Sequence, residues 1–231
     1  SLLTNVDVIT GVRAERIEKT DERYIVTLAD QQVIEADEIV MSTPHDVTQS
    51  ILQSELLDES FAQLKNSSLV SIYLGFDISD ERLPEDGTGF IVADESDLHC
   101  NACTWTSRKW EHTSDSGKLL VRLFYKSSKP GFDQLQQLSD QELLHVALQD
   151  VQKSLGINDK PKTFSINKWI EAMPTYHIQH NEIIQSLEEK MATYFPHIHL
   201  AGCSYYGVGV PDCIANGEQT AKRVVEQWTN N

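Results

Sequence analysis

The stretch Leu200-Ala201-Gly202-Cys203-Ser204-Tyr205-Tyr206-Gly207-Val208-Gly209-Val210-Pro211-Asp212-Cys213-Ile214 carries residue types suited to holding an anion. It reads as a short apolar strand, a loop with three glycines, and a helix opened by Pro211 and Asp212. Glycines let backbone approach a ligand closely, and the free N–H groups at a helix start favour negative charge there. Asp212 falls in the first helical turn, where a carboxylate is favourable, and it reads first as a capping acid. An ordinary glycine-rich turn into a helix is the alternative use of the same pattern.

Other chemistry-bearing residues are less organised. Cys100-Asn101-Ala102-Cys103 has CxxC spacing, but Cys203 and Cys213 are ten residues apart and form no second pair. A strand here would send Cys100 and Cys103 to opposite faces, against both a disulfide and a zinc pair. His177-x2-His180 and His197-x-His199 lack completing ligands at recognisable spacing, so no metal site is expected. GxSxG, a P-loop and GxGxxG are all absent, and no catalytic side chain is nominated. Arg108, Lys109, Arg122 and Lys126 lie in the sheet region, where they could meet carboxylates of a ligand, but they read first as solvated surface cations.

The elements that must position these residues show two textures. At the N-terminal end, Tyr24–Leu28 and Val33–Glu35 form a hairpin, and a strand over 38–43 ends at Pro44 before a helix carrying Val47, Ile51 and Leu52. Strands then follow at 69–76, 89–93, 100–106 and 118–125 with no helix pattern between them, which implies an antiparallel sheet. Ser139 and Glu142 form a capping pair before Leu144, Leu148, Val151 and Leu155, and Gly156 stands at the stop position. A strand over 163–169, a helix with Ile184, Leu187, Met191 and Tyr194 on one face, and a strand over 197–201 lead to the glycine loop. The last helix is expected to bury Ile214, Ala221, Val224, Val225 and Trp228.

The fold class is therefore mixed α/β and α+β: an α/β domain, present at both ends, interleaved with an antiparallel-sheet domain. The expected domains are 1–50 and 179–231 for the first and 51–178 for the second. The chain has 231 residues and a net charge of −16, which argues against nucleic-acid binding and allows at most peripheral membrane contact. Four cysteines fit a reducing compartment, so a cytoplasmic location is expected.

The tail from Ala201 to Ile214 resembles the C-terminal flavin motif of protoporphyrinogen/coproporphyrinogen oxidases, FAD-dependent enzymes of haem synthesis related to the monoamine oxidases. Trp169-Ile170-Glu171-Ala172-Met173-Pro174-Thr175-Tyr176-His177-Ile178-Gln179-His180 resembles that family's Trp-x-x-Ala-Met-Pro-x-Tyr-x-x-Gly-His signature, with Gln179 where glycine is usual. Gly11–Ile17 and Asp37–His45 resemble the segment that meets the adenine. The resemblance implies a Rossmann-like FAD-binding domain with an antiparallel substrate domain. It implies FAD contacts at Ala14 (adenine), Trp169 (near the isoalloxazine), and Val208, Gly209 and Val210 (flavin edge).

It also implies a porphyrinogen substrate, coproporphyrinogen III in the Gram-positive type, with O2 as acceptor. An amine oxidase of the same superfamily and a non-catalytic porphyrin-binding module are the competing readings. The dinucleotide fingerprint and its acidic partner are missing, so the chain is expected to be the C-terminal half of a longer polypeptide and inactive alone. Its partner would then be the N-terminal half.

Overall fold

The computed structural model describes residues 4–21, 23–114 and 117–230. Strands β1 (Ala14–Lys19), β2 (Tyr24–Leu28) and β3 (Val33–Ala36) form a meander in the order β1-β2-β3. Strand β4 (Ile39–Met41) follows, then helix α1 (His45–Leu52), which starts behind Pro44 as the missing proline N–H predicts. Helix α2 (Glu55–Gln63) has no counterpart in the sequence reading, because its nine residues carry only Leu57 and Phe61 as fully buried apolar side chains.

The antiparallel sheet is built from β5 (Lys65–Ser79), β6 (Gly89–Ile91), β7 (Ala102–Trp105), β8 (Lys118–Lys126) and β9 (Thr163–Thr175), in the order β6-β7-β8-β5-β9. The β5/β8, β6/β7 and β7/β8 pairs are antiparallel, as expected from strands joined without helices. Alternation sets Val121, Leu123 and Tyr125 on one face, packed with Val70, Ile72 and Leu74. That face meets Leu143, Ala147 and Val151 of helix α5 (Asp140–Leu155), which follows the short helices α3 (Thr106–Lys109) and α4 (Phe132–Leu135). The capping box at Ser139/Glu142 and the left-handed Gly156 stand where the sequence puts them.

Both CxxC cysteines enter this core, contrary to the opposite-face expectation. Cys100 precedes β7 and is free of the strand's alternation, so it turns into the cluster that holds Cys103. The buried Asp150 carboxylate fixes that segment, accepting the N–H groups of His99 (2.9 Å) and Cys100 (2.8 Å). Burial, and next Asp150, push the Cys100 thiol up to about 12.

Helix α6 (His180–Tyr194), strand β10 (Ile198–Leu200) and helix α7 (Val210–Asn230) complete the chain. β10 pairs parallel with β4, Ile198 to Ile39 and Leu200 to Met41. Compact units are Ser1–Lys65 with Pro174–Asn231, and Asn66–Met173. These divisions fall 15 residues after, and five before, the boundaries read from sequence: α2 packs on α6, and Leu57 and Phe61 join Ile184, Leu187 and Met191 in the first unit's core.

Helix α7 differs most from expectation. Its buried positions are Asn216 and Thr220, while Ile214, Val225 and Trp228 are 60%, 60% and 69% exposed. Asn216 faces inward because its Oδ1 accepts the Gly202 N–H at 2.9 Å. Anchoring this polar stripe turns the apolar one about a third of a turn away, into solvent.

Candidate functional site

The glycine loop is held at many points within the first unit. Ser204 Oγ accepts the His45 N–H at 3.2 Å, and the Tyr205 hydroxyl donates to Thr48 Oγ1 at 3.0 Å. Burial pushes the Tyr205 and Tyr206 hydroxyls well above their ordinary pKa, with Glu188 adding to the shift at Tyr206, so both stay protonated donors at neutral pH. His45 is buried at the start of α1, and burial lowers its pKa.

Gly207 has φ +120° and Gly209 lies two residues on, both pressed against Asp212. A Cβ at Gly207 would come within 2.7 Å of Asp212 Cβ, at a φ that side chains rarely adopt, so that position requires glycine; a Cβ at Gly209 would meet Asp212 Oδ2 at 2.7 Å and displace that carboxylate. Asp212 Oδ2 accepts the Gly209 N–H at 3.3 Å, a capping contact, and the Gly207 N–H donates to the Tyr176 hydroxyl at 2.6 Å. Val208 lies between these occupied donors, 60% exposed, and its N–H makes no hydrogen bond among the described residues. The Val208 N–H is thus left without a partner among the described residues, beside the positive end of a 21-residue helix.

A cavity of about 550 Å3 adjoins the loop, lined by Tyr176, Tyr205, Tyr206, Gly207 and Asp212 among others. Tyr176 and His180, four residues apart, stack with ring centroids 3.7 Å apart and 11° between planes. Sequence reasoning quoted both residues inside a motif without giving either a task. Their i, i+4 spacing ahead of a helix was the available signal.

Val208, Gly209 and Val210 therefore sit together at the N-terminus of α7, with Val210 73% exposed. Ala14 opens β1 in the same unit, half-buried, at a bulge where Ala14 faces Leu28 and Arg16 faces Thr27. Bulges of this kind re-aim backbone beside binding sites. Trp169 belongs to the second unit, on β9, with its ring 49% exposed.

In the second unit, Arg122 departs from the solvated-cation expectation. It lies half-buried on the sheet face opposite Leu123 and Tyr125, with its guanidinium 4.8 Å from the Tyr73 ring centroid and 4.5 Å from that of Phe124. Its Nε is buried with no hydrogen-bond partner, and among the described residues it makes no ion pair. A guanidinium clamped between aromatic rings and lacking a carboxylate is preorganised to receive one.

The histidine pairs have different fates. Glu38 accepts from His197 Nδ1 at 2.7 Å and from His199 Nε2 at 2.8 Å, a bridge across the β4/β10 pair. A carboxylate only accepts, so both imidazoles present N–H to it. Among the described residues no group of three or more His, Cys, Asp or Glu side chains is arranged to hold a metal ion, and no helix is long and apolar enough to cross a membrane.

Residues 3–225 match the family described as flavin containing amine oxidoreductase. The chain belongs to this family. Among curated relatives, the flavin-containing oxidoreductase chain is 33% identical over 214 residues to coproporphyrinogen III oxidase of Bacillus subtilis (strain 168), covering 91% of this chain and 44% of that protein. It is 26% identical over 219 residues to protoporphyrinogen oxidase of Bos taurus, covering 92% and 45%. A solved structure from Exiguobacterium sp. 255-15, assigned as a protoporphyrinogen oxidase, superposes with TM-score 0.81 at 31% identity, covering 93% of this chain and 47% of that one. A putrescine oxidase variant at 12% identity and TM-score 0.76, covering 96% and 50%, shows the shared fold. The chain thus spans about half the length of the proteins it matches. The family is flavin-containing, in agreement with the cofactor implied by the tail motif.

Proposed function

We propose that this chain is the C-terminal part of an FAD-dependent coproporphyrinogen III oxidase, with protoporphyrinogen IX as the alternative substrate and O2 as acceptor in haem synthesis. The observation that carries the reading is the loop at 207–209, with its flanking donors occupied by Tyr176 and Asp212 and the Val208 N–H left without a partner among the described residues beside a helix start. When bound, FAD supplies the hydride acceptor. The Val208 N–H and the α7 N-terminus stabilise negative charge at the flavin edge, which favours the reduced state. Gly209 and Val210 shape that edge, Trp169 flanks the ring system, and the Ala14 backbone meets the adenine. Arg122 takes a propionate of the substrate, and Tyr73 and Phe124 keep its guanidinium oriented.

The pyrophosphate cradle comes from the preceding half of the polypeptide, which is this chain's partner. The protein works in the cytoplasm with at most peripheral membrane contact, and the 231-residue chain alone is inactive. Anaerobic addition of coproporphyrinogen III to the full polypeptide is expected to bleach its oxidised-flavin absorbance, faster than protoporphyrinogen IX does. Absence of bleaching by either would sink the assignment. A stoichiometric yellow complex of the 231-residue chain alone would overturn its dependence on the other half. In the full polypeptide, Arg122→Leu should raise KM for the tetracarboxylate substrate about tenfold or more, the scale of a lost hydrogen bond to a charged group.

A further inference from the structure

The Tyr176 hydroxyl makes two bonds to the same loop. It donates to the Cys203 carbonyl at 2.8 Å and accepts the Gly207 N–H at 2.6 Å, closing residues 203–207 into a ring across one oxygen. A phenol has one proton and can both donate and accept, so this pair of bonds uses it fully. Burial raises its pKa, which keeps the proton on the oxygen at neutral pH. His180 holds the phenol in place by stacking, and its own Nε2 sits 2.9 Å from the Tyr205 carbonyl. A carbonyl only accepts, so His180 carries its proton on Nε2. Two side chains one helical turn apart thus engage Cys203, Tyr205 and Gly207, three alternate residues of the loop.

We propose that Tyr176, braced by His180, is a positioning residue for the flavin: by tying the Gly207 N–H and the Cys203 carbonyl to one oxygen it fixes the turn that carries the Val208 N–H. This rests on the flavin reading given above and adds residues to it. The argument is one of loop geometry. Asp212 holds the Gly209 N–H on one side of Val208, and Tyr176 holds the Gly207 N–H on the other. Proline at 211 contributes no N–H to the helix start. Without the Tyr176 oxygen, Gly207 at φ +120° is free to rotate, and the direction of the Val208 N–H is no longer set.

The test compares Tyr176→Phe with wild type. In the 231-residue chain, amide hydrogen exchange at Gly207 should accelerate tenfold or more while the exchange of β10 amides stays unchanged. In the full FAD-loaded polypeptide, the same variant should retain FAD and its melting temperature but lower the flavin midpoint potential. A tenfold loss in preference for reduced over oxidised flavin corresponds to about 30 mV for two electrons. His180→Gln, which removes the stack, should move both readouts in the same direction by less. Unchanged Gly207 exchange overturns the latch. Accelerated exchange with an unchanged potential overturns its role toward the flavin while leaving the flavin reading intact. A wild-type full polypeptide that binds no FAD overturns both.

Discussion

The two units differ in how completely they cover their own apolar surface. In Asn66–Met173, one face of the five-stranded sheet and helix α5 enclose a core whose central side chains, among them Val70, Ile72, Leu74, Val121, Leu123, Leu143 and Val151, have no exposure. In Ser1–Lys65 with Pro174–Asn231, the parallel sheet has two strands among the described residues, β4 and β10. Ile39 donates to His197 and Met41 accepts from Ala201, so the N–H and C=O of Val40 between them point to the other edge, and Val40 is 49% exposed. Parallel sheets are ordinarily covered on both faces and contain more strands than this. The difference teaches that one unit closes its own core while the other leaves a strand edge unpaired; the chain spans 44% of the length of its Bacillus subtilis relative.

The strongest way to break the comparison is to damage the closed body. Leu123→Ala should cost about 2–5 kcal/mol, since the side chain has no exposure and its neighbours cannot collapse freely. Three of the four tryptophans, Trp105, Trp110 and Trp169, belong to this unit and the fourth, Trp228, is already 69% exposed, so urea unfolding followed by tryptophan fluorescence reports chiefly on this unit. A loss below about 1 kcal/mol would mean that this core is looser than its burial implies. Asp150→Ala comes next, at about 2–4 kcal/mol, because it strands the buried Cys100 N–H and the part-buried His99 N–H. Iodoacetamide should then label Cys100, which the native protein protects by burial and by a thiol held near 12.

Local signals carried most of the fold. The capping box of α5, the proline start of α1 and the hairpin of β2 and β3 are each specified by residues within a few positions of one another, and each is found where those residues put it. The polar inner stripe of α7 was not legible: Asn216 turns inward because Gly202, fourteen residues earlier, offers an N–H, and a periodicity argument scores Asn as an outward residue. The same limit hid the Glu38 bridge, whose partners lie about 160 residues away. At the glycine loop, residue types pointed to backbone donors, but which donors are already taken depends on Tyr176 and on tertiary packing. Arg122 read as a surface cation because its two aromatic neighbours, Tyr73 across the strand pair and Phe124 along it, meet it only once the sheet is in register.

In the first unit, the Glu38 bridge adds side-chain bonds across the β4/β10 pair. His197 holds a left-handed φ of 71°, a conformation histidine tolerates better than most residues, and its bond to Glu38 helps keep it there. Glu38→Ala removes both bonds and should cost about 1–2 kcal/mol. Hydrogen exchange at Ile39 and Ala201, whose N–H groups join the two strands, is the readout. If their exchange is unchanged, the strand pair is held by backbone and packing alone, and the unit is less dependent on this bridge than the comparison supposes.

The smallest expected effect is the sharpest test of openness. Trp228 is 69% exposed on α7, so Trp228→Lys in the 231-residue chain should change stability by no more than about 0.5 kcal/mol, as for surface substitutions generally. In the full polypeptide the prediction differs. Burying an apolar side chain of this size is worth about 1.5–3 kcal/mol, so if the preceding half covers this helix face, the same substitution should destabilise the full protein by roughly 2 kcal/mol. The quantity that matters is the difference between the two measurements, because it cancels the change in helix propensity common to both. Equal small effects would mean that the apolar stripe of α7 stays in solvent in the full polypeptide, and that the other half, if it packs on this unit, uses other exposed surface such as the strand edge at Val40.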